Sequence, residues 1–80
     1  MSTREIIEIL RRMDQMIRMR STGDPEDFAS RLGVSERTMY NYLSLLKALG
    51  APIRFSSGKE SYEYYEDGRI GLEYEKKHIV

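Results

Sequence analysis

The chain has no cysteine. A disulfide framework, a thiolate zinc site and a cysteine nucleophile are therefore excluded, and a reducing cytoplasm is the expected location. No apolar run approaches the ~18 residues of a membrane span. The charged opening MSTREIIEILRR contains no signal-peptide core. Internal repeats and low-complexity segments are absent. Histidine occurs once, at His78, with no cysteine or second histidine to complete a metal site. The carboxylates fall at strand and cap positions rather than as a pair for acid–base work, and no glycine cluster forms a phosphate-binding loop. Without a catalytic constellation, the chain reads as no enzyme, with no cofactor, no metal and no evident small-molecule ligand.

What is present is an ordinary globular composition, 40% hydrophobic and 32% charged over 80 residues. That length bounds the chain at one small domain, residues 1–80. Net charge is zero, which taken alone argues against a nucleic-acid partner. Its distribution is uneven: residues 1–22 carry +2, residues 23–27 carry −3, residues 28–59 carry +4, and residues 60–80 carry −3. The most basic segment is the one with the most informative pattern.

Three helices are predicted, over about 3–20, 25–32 and 36–49. Ser2 with Glu5 makes a capping box, and Ile6, Ile9, Leu10, Met13 and Ile17 then share one helical face. Asp24, Pro25, Glu26 and Asp27 form a strong second start. Phe28, Ala29 and Leu32 follow as a buried face, and Gly33 is the left-handed stop. Ser35 caps a third helix at once. In that helix Met39, Leu43, Leu46 and Leu49 make a stripe widened by Tyr42 and Leu45, and Gly50 closes it. From Ala51 the apolar period becomes two, predicting strands over about 53–55, 61–65 and 69–75. Ile70, Leu72 and Tyr74 are expected inward, the loop SSGKE joins the first two strands, and Asp67-Gly68 signals a type I′ turn before the third. The tail KKHIV is expected to fray. The fold class is α+β: three helices followed by a small antiparallel hairpin or a three-stranded meander.

The segment FASRLGVSERTMYNYLSLLKALGAPI resembles the DNA-binding domains of DeoR-type regulators and of the biotin repressor, and looks closest to short stand-alone bacterial members of that group. The matching positions are Ala29, Leu32, Gly33, Val34, Ser35, Thr38, Met39, Leu43, Leu46, Gly50, Pro52 and Ile53. The resemblance extends from Ile6 to about Tyr65. It implies a winged helix-turn-helix that binds double-stranded DNA in a sequence-specific way, as a transcriptional regulator with helix 36–49 in the major groove. With no room for a sensor domain of the usual size, regulation would come from abundance, a partner chain or dimerisation. Useful specificity from so small a domain implies a homodimer on two half-sites.

The face of the third helix opposite Met39, Leu43 and Leu46 carries Arg37, Tyr40, Asn41, Ser44 and Lys47. Arg37 either reads guanine or is a solvated arginine beside a carboxylate. Asn41 suits adenine. Tyr40 either meets a sugar or phosphate or packs against the first helix. Ser35 and Thr38 can donate to phosphate as well as cap. Ser44 and Lys47 suit the DNA backbone, with a merely solvated lysine as the other reading of Lys47. In the wing, Arg54, Ser57, Gly58 and Lys59 are the candidates, as in wings of the family. Glu60, Glu63, Glu66 and Asp67 follow at once and would repel phosphate, so either the hairpin turns that acidic face away or the wing has another task. The alternative function is a protein–protein interaction module on the same scaffold, without DNA binding.

Overall fold

The computed structural model describes residues 2–70 and 74–76 of the chain. Helix α1 spans Thr3–Arg18, and its cap is the expected one: the Ser2 hydroxyl accepts from the Glu5 amide at 3.2 Å. Met13 and Ile17 are fully buried, with Ile9, Leu10 and Met16 packed beside them. The helix ends sooner than expected. The Arg20 amide donates to the Ile17 carbonyl and the Ser21 amide to the Met16 carbonyl. These two bonds make a Schellman closure, and it places Arg20, not a glycine, at φ 52°.

Helix α2 spans Pro25–Leu32, with the Asp24 carboxylate accepting from the Asp27 amide at 2.8 Å. It buries Phe28, Ala29 and Leu32. Gly33 then closes it at φ 73°, with the Val34 amide returning to the Ala29 carbonyl. Helix α3, Glu36–Ala48, begins one residue after Ser35 and buries Met39, Leu43 and Leu46. Gly50, at φ 95°, ends it in the same way. Tyr42 is half-buried against the core, whereas Leu45 is 43% exposed and does not widen the buried stripe as expected.

Strands β1, Ile53–Ser56, and β2, Ser61–Tyr64, form the expected antiparallel hairpin, with Ile53 opposite Tyr64 and Ser56 opposite Ser61. The four-residue loop between them takes its positive φ at Glu60, 49°, rather than at Gly58. The core is Met13, Ile17, Phe28, Ala29, Leu32, Met39, Leu43, Leu46, Ala51, Ile53 and Tyr62. Each large apolar side chain removed from water there contributes roughly 1.5–3 kcal/mol. Tyr62 joins sheet to helices, its ring 5.7 Å from Phe28 and 5.1 Å, edge-on, from Phe55.

Among the described residues no third strand joins the hairpin, and positions 71–73 of the strand expected over 69–75 lie outside them. Strand β3, Gly68–Ile70, pairs with β4, Tyr74–Lys76, in a separate two-stranded sheet, and neither joins β2. Asp67-Gly68 consequently makes no hairpin turn between β2 and β3, and neither residue has positive φ. The edge of β2 is already occupied. The Tyr62 amide donates to Thr22 Oγ1 at 2.9 Å, and the Thr22 amide donates to Ser61 Oγ at 3.1 Å. Thr22, in the connection between α1 and α2, is fully buried and takes the place a third strand would need. The expected inward face at Ile70, Leu72 and Tyr74, and the tail with His78, lie outside the residues whose side chains are described.

Candidate nucleic-acid interface

Helix α3 turns one face into the core, so the opposite face is fixed by helical geometry alone. Arg37, Asn41, Ser44 and Ala48 recur at i, i+4, i+7 and i+11 along it. All four are exposed. Arg37 forms no ion pair among the described residues. A guanidinium, a carboxamide and a hydroxyl thus lie in one row, with no side-chain hydrogen bond or ion pair among the described residues. Ala48, not anticipated as part of the row, ends it with a side chain too short to obstruct a surface laid against the helix.

At the start of α3, Ser35 and Thr38 are joined to each other. The Ser35 hydroxyl accepts from the Thr38 amide at 3.1 Å and donates to Thr38 Oγ1 at 3.0 Å. Capping therefore uses the Ser35 proton, and the hydroxyl hydrogen left for an external acceptor is that of Thr38. Lys47 is exposed and has no ion pair among the described residues. It lies two helical turns beyond Tyr40 on the same flank of α3.

Tyr40 is 45% exposed. Burial above all, with the charge and hydrogen bond of Tyr40 added, pushes the Tyr62 hydroxyl up to about 12. Tyr40 thus lies near Tyr62 of the wing.

The wing differs most from expectation. Glu63, expected on an acidic outer face, is 4% exposed. Its carboxylate receives Arg54 Nε at 2.9 Å, Lys59 Nζ at 3.1 Å and Arg20 Nε at 3.1 Å. Hydrogen bonds from Arg54 and Lys59, and less strongly from Arg20, hold it at about 2 against the opposing effect of burial. Two of the four wing candidates, Arg54 and Lys59, are therefore gathered around one anion, while Ser57 and Gly58 stay exposed at the loop. Arg54 also lies over the Tyr65 ring, 5.8 Å from its centroid. Sequence reasoning missed Arg20 and the true position of Glu63. The two are 43 residues apart, and no local pattern pairs them.

Among the described residues no group of His, Cys, Asp or Glu could hold a metal ion, and no helix is long and apolar enough to cross a membrane. A family model described as an HTH domain matches residues 3–65, more than half of the chain, and the chain belongs to this helix-turn-helix family of DNA-binding domains. No curated protein and no solved structure matches it.

Proposed function

We propose that this helix-turn-helix domain binds double-stranded DNA sequence-specifically as a transcriptional regulator, with α3 in the major groove. The observation that carries the reading is the exposed row of Arg37, Asn41 and Ser44 on α3, whose opposite face is locked into the core by Met39, Leu43 and Leu46. Arginine bidentate to guanine O6 and N7, and asparagine bidentate to adenine N6 and N7, are the side-chain pairings that discriminate base pairs in that groove. Thr38 and Lys47 supply phosphate contacts that set register. The likeness of the segment from Phe28 to Ile53 to DeoR-type regulators and the biotin repressor supports a regulatory role. A second copy of the chain on an adjacent half-site would supply the specificity that one small domain lacks.

Selection of bound sequences from a random duplex pool, followed by mobility shifts at several salt concentrations, tests the reading. The expected outcome is an enriched motif containing guanine and adenine in the positions met by Arg37 and Asn41, with affinity falling linearly in log salt. Absence of salt-dependent binding to any duplex at micromolar concentration would overturn it and leave a protein-interaction module as the reading.

A further inference from the structure

Arg20 stands where α2 and α3 carry glycine. All three helices close with the same pair of carbonyl returns, and the left-handed residue is Arg20 in α1, Gly33 in α2 and Gly50 in α3. A side chain at φ 52° is disfavoured by its own Cβ, so an arginine there points to a use for the side chain. That side chain runs to Glu63, beside Arg54 and Lys59.

The cluster holds three cations and one anion, which leaves two positive charges unneutralised. Exposure is divided sharply within it. The Glu63 side chain is 5% exposed, whereas those of Arg20, Arg54 and Lys59 are 50%, 62% and 53% exposed. Both arginines meet Glu63 through Nε, so their terminal Nη groups are not used by that carboxylate. Lys59 likewise gives it one bond and has three donors. The carboxylate sits beneath, the cations converge above it, and their outer ends face solvent. Such an arrangement has its ordering cost met before an incoming anion arrives, and charge-assisted bonds from guanidinium to phosphate are among the stronger ones available.

We infer that Arg20, Arg54 and Lys59 form one phosphodiester-binding site, with Glu63 as the residue that positions all three. This rests on the reading of duplex DNA as the partner. It adds to the interface a residue from the end of α1, outside both the helix-turn-helix and the hairpin. The other flank of Arg20 is a shallow groove lined by Ile17, Arg18, Tyr64, Glu66 and Asp67. Its two carboxylates offset the two arginines, so the phosphate lies on the side of Arg54 and Lys59.

The backbone supplies a clean test. Glycine is favoured at φ 52°, so Arg20→Gly removes the cation while keeping the helix end, and thermal melting checks that the fold is retained. Binding to a random-sequence duplex is then measured against salt. The log–log slope is expected to fall in magnitude by about 0.9, the value for one phosphate contact, while base discrimination is unchanged. Arg20→Lys should keep the slope. Glu63→Gln makes the chain one unit more positive. Weaker duplex binding despite that gain supports the positioning role, and tighter binding overturns it. If the unmodified chain binds duplex and Arg20→Gly leaves the slope unaltered, Arg20 is a structural cross-link and this site is wrong. If the unmodified chain shows no salt-dependent binding, the DNA reading itself fails.

Discussion

Gly33 holds φ at +73°, and a Cβ built there would meet nothing within 4 Å. Space is therefore not what excludes other residues; the backbone angle is. Gly33→Ala should cost roughly 1–2 kcal/mol from left-handed strain alone, read as a lower urea midpoint with an unchanged m-value. Glu63 makes a second prediction, in pH. Its folded value of about 2 lies below the ordinary 4.5, so folding favours its ionised form. The stabilisation is complete above pH 4.5 and is lost as pH falls toward 2. Glu63→Gln should flatten that acid limb in equilibrium unfolding followed from pH 6 to 2, and an unchanged limb would mean the three cations do not hold the carboxylate. At this scale the caps at Ser2, Asp24 and Ser35 and the stop at Gly33 were legible in the sequence, because each is a rule about neighbours within four residues. Arg20 was not, because its partner lies on a distant strand.

The elements follow the same division between near and far. Three helices and the first hairpin were legible from apolar period, since each period is set by geometry within the element. The third strand was not. A sequence alternating at 69–75 says nothing about whether the edge it would join is vacant, and here Thr22 occupies it. Thr22 Oγ1 and Ser61 Oγ lie 3.1 Å apart, each also bonded to nearby backbone, so no buried polar side-chain atom among the described residues lacks a partner. Thr22→Val keeps the shape but removes the acceptor for the Tyr62 amide. An unpaired buried donor costs about 1–3 kcal/mol. Stability should drop by that amount, and the Tyr62 amide should lose hydrogen-exchange protection more than the amides of α3. Equal loss everywhere would show that this contact is not what holds the wing.

Across the whole molecule, zero net charge hides an arrangement by location. Arg37 and Lys47 make no ion pair among the described residues, while Arg20, Arg54 and Lys59 share one carboxylate. Charge counts along the chain revealed the basic middle segment but could not show that Glu63 is covered by the cations beside it. On a preferred duplex, Arg37→Ala or Asn41→Ala should cost about 1–3 kcal/mol and relax discrimination at one base pair. Lys47→Ala should weaken all duplexes alike and lower the salt slope by about one. Equal effects on preferred and random duplexes for Arg37 and Asn41 would remove them from base reading. The Thr22–Ser61 contact also bears on the order of folding. It joins positions 39 residues apart, and α2, the turn and α3 all lie inside the chain segment it closes. Closing a long segment loses entropy that only the finished contact returns, so such a contact forms late on the path to the native state. Thr22→Val should therefore act on kinetics mainly by accelerating unfolding, with refolding nearly unchanged in stopped-flow chevrons. The helix-turn-helix would assemble first, and the wing would fasten afterwards onto a unit already formed.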